Sequence, residues 1–270
     1  MTDAPRYALA LSDAEVDRYR LMARMARADE AAEWERAGIV AGARMADIGC
    51  GPGLITIELA EIAGSNGTVA AVDREEDAAA TARALLHERG FDKVEVRVAD
   101  AWATGLPERS FDVVTLRHVL AHNTIADQTR ILRHIATLLA PGGTVFVVDS
   151  DMTGMRLDPP DADITDLNDR YATYLTNVGR DPQCGPALGS RLMAAGFELL
   201  ERGAAAFTFP PDTAWMRPPA WAARAAMLAA GEATPEDVER WDHALERFAE
   251  GLADGTNARF IPRYWAIGRA

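Results

Sequence analysis

Three glycines at alternate positions follow an apolar run and an acid in Met45-Ala46-Asp47-Ile48-Gly49-Cys50-Gly51-Pro52-Gly53. Asp73 closes the next apolar run, Val69-Ala70-Ala71-Val72-Asp73. Glycine suits a backbone that must turn tightly or lie within contact distance of a ligand. A strand that feeds a helix through such a loop marks the ligand crevice of an open α/β sheet. An acid at the tip of the following strand is placed to accept hydrogen bonds from ribose hydroxyls. These residues predict a site for a ligand carrying an adenosine-like ribose.

A second set of reactive side chains stands in Leu116-Arg117-His118-Val119-Leu120-Ala121-His122, just past an apolar strand and so on the binding side of a sheet. His118 is a candidate proton acceptor or substrate contact, with cofactor-side packing as the alternative. His122 is a candidate pocket residue with packing as its own alternative. The two are spaced i, i+4, as zinc ligands on one helix face are, but Val119 stands where H-E-x-x-H needs its glutamate. Asp149-Ser150-Asp151 ends a further strand, making Asp149 a second candidate base or hydrogen-bond acceptor. Clustered carboxylates suit hard cations, but the plain reading of Asp149-Ser150-Asp151 is a polar rim at the pocket. No metal is expected.

The elements that position these groups follow from periodicity. Apolar runs at Met45–Ile48, Val69–Val72, Val94–Val98, Val113–Leu116 and Val145–Val148 alternate with amphipathic stretches at Leu54–Ile62, Asp77–Arg89 and Thr129–Leu139. Strands that are apolar throughout and spaced by helices predict a parallel sheet buried on both faces. Ahead of them, Ser12-Asp13-Ala14-Glu15 reads as a capping box opening a helix with Val16, Tyr19, Met22, Met25 and Ala26 on one stripe. A second helical segment follows around Asp29 to Ala37. Beyond Asp149 come helices near 163–178 and 187–195, a loop at 179–186, a strand near 197–209, helical runs near 218–230 and 235–252, and a last strand at 260–267.

The order Asp47-x-Gly49-x-Gly51-x-Gly53 differs from the G-x-G-x-x-G of dinucleotide sites. It resembles motif I of the class I S-adenosylmethionine (SAM) methyltransferases. Further matches fall in the same order. Asp73 stands at the ribose-binding acid, Val98-Ala99-Asp100-Ala101 at the adenine-edge motif, Leu106-Pro107-x-x-Ser110-Phe111-Asp112-Val113-Val114 at the entry to the fourth strand, and Leu138-Leu139-Ala140-Pro141-Gly142-Gly143 at the turn before the fifth. The resemblance covers roughly 38–149. It implies a Rossmann-like sheet of seven mostly parallel strands with helices on both faces, an antiparallel last strand and helical cap insertions. It also implies SAM held by Asp47, Gly49, Gly51, Gly53, Asp73, Arg74, Asp100, Ala101, Arg117 and Tyr19.

Residues 1–44 then read as a helical lid, 45–150 as the SAM-binding core, 151–185 as an insertion and 186–210 as core again. Residues 211–257 form a cap and 258–270 the last strand. The last-strand hairpin is interrupted by about 50 residues, too long for a plain connection. Tyr171, Tyr174, Trp215 and Trp221, with Met216 and Met227, are candidate lining for an apolar substrate pocket, the alternative being ordinary packing of the inserted helices.

Methyl transfer from a sulfonium needs positioning above all, and positioning of this kind supplies roughly 7–11 kcal/mol. Few residues are therefore fixed by the chemistry. The resemblance to ubiquinone- and menaquinone-biosynthesis-like enzymes implies a small, largely apolar or aromatic acceptor, with oxygen or carbon methylation favoured. A protein methyltransferase, or a SAM-binding cyclase or sensor that methylates nothing, would keep the same cofactor motifs.

Composition limits the partners. Lys and Arg number 28 against 41 Asp and Glu in 270 residues, a formal charge of −13. That balance argues against phosphate-rich nucleic acid and against an anionic membrane surface. Two cysteines make no disulfide framework. The stretch 1–11 has no apolar signal-like core, and no run reaches the length of a membrane span. The expectation is a cytoplasmic protein acting on a small molecule, its oligomeric state unread.

Overall fold

The computed structural model describes residues 13–208 and 218–270. Two helices, α1 (Asp13–Asp29) and α2 (Ala31–Arg36), precede the sheet. Ser12 of the expected capping box lies outside the described residues. The chain then alternates β1 (Arg44–Ile48), α3 (Leu54–Ala63), β2 (Thr68–Asp73), α4 (Glu76–Glu88), β3 (Glu95–Val98), β4 (Phe111–Arg117), α5 (Ile125–Leu138) and β5 (Leu139–Ser150). These strands pair in parallel in the order β3-β2-β1-β4-β5. Successive connections leave β1 and β4 toward opposite edges, so a crevice opens at the carboxyl ends of those two strands.

The second half adds β6 (Arg156–Asp158), α6 (Ala162–Asn177), α7 (Cys184–Ala194), β7 (Glu198–Thr208), α8 (Pro219–Ala222), α9 (Arg224–Ala229), α10 (Pro235–Asp254) and β8 (Ala258–Arg269). β8 runs antiparallel between β5 and β7, as expected for the last strand. Its first residues pair with β6, which continues the line of β5. The sheet thus has eight strands rather than seven. The extra one is three residues of Arg-Leu-Asp, too short and polar to show a strand period.

Other departures are local. α5 starts four residues early because the Thr124 side chain accepts from the Asp127 amide at 3.1 Å and caps it there. α7 begins inside the expected loop. Pro186 is tolerated in a first helical turn, and Gly185 leaves room for Tyr264, whose ring a Cβ would meet at 2.5 Å. The expected 218–230 run breaks into α8 and α9 at Ala223.

The sheet is packed on both faces. Leu116, Ile131, Leu138, Val147 and Leu192 gather with α5 and α7 on one side. Trp34, Met45, Leu59 and Phe146 gather with α2 and α3 on the other. α6, α8, α9 and α10 enclose a separate cluster around Tyr171, Met227, Trp241 and Phe248. No helix among the described residues is long and apolar enough to cross a membrane.

Candidate active site

The glycine loop joins β1 to α3, and two of its glycines are dictated by neighbours. Gly49 has φ +76°, and a Cβ there would overlap the Val119 side chain. Gly53 has φ +80° as the residue before α3, and its Cβ would stand 2.8 Å from that of Ala82 in α4. Gly51, φ +52°, is different: the nearest atom to a Cβ there is Tyr19 Cε1 at 4.0 Å. Its backbone therefore faces open space under α1.

Asp73, at the carboxyl end of β2, ties the loop down. Its carboxylate accepts from the Gly51 amide at 2.7 Å and from the Glu75 amide at 3.0 Å. A carboxylate offers about four lone-pair positions, so acceptor capacity remains for a diol. Burial pushes its carboxyl up, opposed by those two amide bonds. Asp47 lies deeper, accepting from the Thr56 hydroxyl at 2.6 Å and the Thr115 hydroxyl at 3.2 Å. Burial pushes its pKa up to about 6, against the pull of both hydroxyls.

These groups border a cavity of about 580 Å³ at the crevice. The structure brings most of the expected residues together there. Asp47, Gly49, Gly51, Asp73, Arg74, Asp100, Ala101, Arg117, Tyr19, His118 and His122 all line it. α1 supplies one wall through Glu15, Tyr19, Met22 and Ala23, while Trp102, which periodicity did not single out, supplies part of another.

Several expected residues stand away from the cavity wall. Gly53 does not line the cavity; its part is the left-handed turn and the close α3–α4 approach. Tyr171 and Tyr174 are buried in a cluster with Trp241, Leu245 and Phe248 of α10 and do not line the cavity. Trp221 packs on the same cluster, its indole N–H donating to Asp242 and its ring covered by Arg224 at 3.6 Å. Trp215 lies outside the described residues, as does Met216.

Arg117 lines the cavity, but both guanidinium arms donate to Glu30, at 2.7 and 2.8 Å. Glu30 is fully buried, receives the Trp34 indole at 3.1 Å and lies 3.3 Å from Arg263 of β8. Burial alone would raise its carboxyl. Arg117, Arg263 and Trp34 together hold it below the usual range instead. Nothing in the sequence marked Glu30 or Arg263, because the pairing of Glu30 with Arg117 and Arg263 arises only through tertiary contacts.

The opposite wall is the segment after β4. His118 has φ +54°, and its amide donates to Val148 at 2.8 Å. The 3₁₀ turn Leu120–His122 follows. Asp149 is 0% exposed and absent from the cavity wall; it accepts from the amides of Ala121 at 3.0 Å and Ser150 at 2.9 Å. It is therefore not a direct substrate acceptor in this geometry, because both oxygens are turned inward to backbone donors. Gln128 secures the same turn by donating to the Leu120 carbonyl at 2.8 Å. Burial pushes the His122 pKa down to about 4, so that imidazole is neutral at pH 7. Among the described residues no three His, Cys, Asp or Glu side chains are grouped as a metal would require.

Left-handed backbone at a non-glycine residue costs roughly 1–2 kcal/mol. His118→Gly is therefore expected to be more stable than His118→Ala by about 1 kcal/mol, less the unfolded-state entropy of glycine. Urea unfolding of the two variants checks this, and equal midpoints would show that the strain is not stored there.

A doubly wound sheet with a glycine loop, an acid at the next strand tip and a crevice at the strand switch defines a nucleoside-cofactor enzyme fold. A family profile described as a methyltransferase domain matches residues 39–193, and the chain belongs to that family, the class I SAM-dependent methyltransferases. A ubiquinone biosynthesis O-methyltransferase from Stutzerimonas stutzeri is 37% identical over 109 residues, 40% of this chain and 44% of that protein. A nocamycin O-methyltransferase from Saccharothrix syringae is 35% identical over 104 residues, 38% of this chain and 36% of that protein. The chain spans less than half the length of these curated relatives. Among solved structures, a SAM-dependent methyltransferase from Aquifex aeolicus shares the fold at TM-score 0.54 and 16% identity, covering 72% of this chain and 92% of that one.

The residues present fit SAM. The open backbone at Gly51, the spare acceptor capacity of Asp73 and the acid-rich wall of Glu15, Asp47, Asp73 and Asp100 suit a cationic adenosyl ligand.

Proposed function

We propose that this protein transfers a methyl group from SAM to a small, neutral, largely apolar or aromatic metabolite, on oxygen or carbon, in quinone-like or secondary biosynthesis. One observation carries the reading: the Gly51–Asp73 cradle and the His118–Asn123 wall share a single cavity. Bound there, SAM would supply an electrophilic methyl group on positively charged sulfur to an electron pair of the acceptor. Asp73 would hold the ribose, Asp100 and Ala101 the adenine edge, and the loop 49–51 the amino-acid portion. Tyr19 and Met22 of α1 would cover the cofactor as a lid and keep water out. Trp102, Val119 and Met22, which line the cavity, would supply apolar surface for the acceptor. α6 and α8–α10 would cap the site from outside the cavity wall rather than line it.

The names of the two curated relatives, both O-methyltransferases, support a small acceptor methylated on oxygen. Calorimetric titration with SAM, S-adenosylhomocysteine and NAD tests the cofactor. Micromolar binding of both SAM compounds without NAD is expected, and absence of SAM binding overturns the reading. Release of S-adenosylhomocysteine with phenolic and quinol acceptors then separates a methyltransferase from a SAM-binding protein of other activity.

A further inference from the structure

Residues 99–106 follow β3 and carry Asp100, Ala101 and Trp102 to the cavity wall. They form neither helix nor strand, so their position must come from contacts outside the segment. One face of α5 supplies two of them. Arg130 and His134 stand one turn apart on that helix, and the Arg130 guanidinium lies 4.7 Å from the centre of the Trp102 ring. The Thr104 amide donates to His134 Nε2 at 3.2 Å. Thr104 is 1% exposed, and among the described residues its amide has no other acceptor. Thr104 Oγ1 lies 2.8 Å from the same ring nitrogen and accepts from the Leu106 amide at 3.2 Å.

An amide N–H only donates, so His134 Nε2 must offer its lone pair, and the ring must be neutral with its proton on Nδ1. A proton on Nε2 would still find Thr104 Oγ1. It would also face the Thr104 amide and leave that buried donor without an acceptor, which costs more than an ordinary hydrogen bond contributes. Burial lowers the pKa of His134 below its ordinary 6.5, opposed by Glu108 from the segment between β3 and β4. The other charged groups around it are Arg97 of β3, which donates to the Gly105 carbonyl, and on α5 itself Arg133 and Arg130, the latter 3.3 Å from Asp127.

We propose that neutral His134 is a positioning residue for the cofactor: its Nε2 latches the 99–106 loop, and protonation at that nitrogen releases the loop's hold on the adenosyl group. This rests on the SAM-dependent reading above, in which Asp100 and Ala101 take the adenine edge. By linkage, a ligand that needs the latched loop binds the neutral ring better and lowers the ring's proton affinity by the same factor. The contribution of the latch to SAM affinity is then complete above the titration midpoint of the free protein. It falls as pH drops through that midpoint and levels off below the midpoint of the complex.

Histidine ring nitrogen NMR of the full chain tests this, with the resonance lost in His134→Gln as the assignment. At pH 8 the ring is expected to be the neutral Nδ1–H tautomer. Saturating S-adenosylhomocysteine, which lacks the sulfonium charge, is expected to lower its titration midpoint by about half a pH unit, roughly a threefold preference for the neutral form. SAM is expected to do the same. An Nε2–H tautomer, an unmoved midpoint, or a shift with SAM alone overturns the proposal, the last because it would report only the field of a cation. In calorimetry at pH 8, His134→Leu is expected to bind SAM about fivefold more weakly, since it leaves the Thr104 amide unpaired. His134→Gln, whose side-chain oxygen is an acceptor that does not titrate, is expected to recover most of that loss. Between pH 8 and pH 5.5 it is expected to lose about threefold less affinity than the wild type. Unchanged affinity in His134→Leu, or parallel losses in His134→Gln and wild type, overturns the proposal as well. If either variant fails to fold, the wild-type titration still decides. All these outcomes leave the cofactor reading intact, whereas a wild type that binds neither SAM nor S-adenosylhomocysteine would overturn that reading and the proposal with it.

Discussion

Glu30→Ala is expected to destabilise the protein by about 3–5 kcal/mol, because it strands two buried guanidinium groups. Removing one partner of a buried ion pair costs that much, as the remaining charge has neither water nor counter-charge. Arg117 and Arg263 are 10% and 3% exposed at the side chain, and Glu30 is 0%. Glu33 lies 3.9 Å from Arg263 and offsets part of its charge, but it makes no contact with Arg117 that would replace the lost bonds. Urea unfolding at pH 7 measures the effect, and a loss below about 1 kcal/mol, the range of exposed pairs, would show that the cluster is solvated.

The pH dependence has a definite sign. Glu30 is held below its ordinary value of 4.5, so its contribution is complete above that pH and is lost as pH falls through the folded value. The gap between wild type and Glu30→Gln is therefore expected to narrow in acid. The consequence reaches the site, because Arg117 immediately precedes His118 and Glu30 sits at the break between α1 and α2. One buried pair ties the break between α1 and α2 to the segment that follows β4.

Asp73→Ala is expected to weaken SAM binding roughly ten- to hundredfold, the equivalent of the 1.5–3 kcal/mol assigned to hydrogen bonds with a charged partner. The structure adds a second route to the same loss. The Asp73 carboxylate also holds the Gly51 amide at 2.7 Å, so its removal frees the loop on which the cofactor would rest. Asp73→Asn keeps one acceptor and is expected to fall between the two. Calorimetry on folded variants decides it, and an unchanged SAM affinity in Asp73→Ala would refute the ribose assignment.

Legibility in the sequence followed the range of the interactions. The glycine loop was readable because left-handed backbone and close approach are written at single positions, and Asp73 because a strand tip is a position along the chain. The five parallel strands were readable from apolar runs. The short β6 was not, since three residues carry no period. Tyr171 and Tyr174 show the limit of pattern reading. A stripe of large apolar side chains looks the same whether it faces a ligand or another helix, and here it faces α10. Asp149 was found by its place at the end of β5, but its burial and its amide partners were not foreseeable from that place.

By itself the amino-acid sequence determined the class of sheet, the glycine loop between β1 and α3 and the family to which the chain belongs. These depend on backbone conformation and local periodicity, which neighbouring residues specify. Tertiary structure alone decided that Glu30, Arg117 and Arg263 form one buried cluster and that Tyr171, Tyr174 and Trp221 pack into one cluster with Trp241. It also decided that His118 stands between Asp149 and the cavity. Burial, charge pairing and the free valence of a ring nitrogen are properties of groups far apart in the chain, and they exist only once folding has brought those groups together and excluded water.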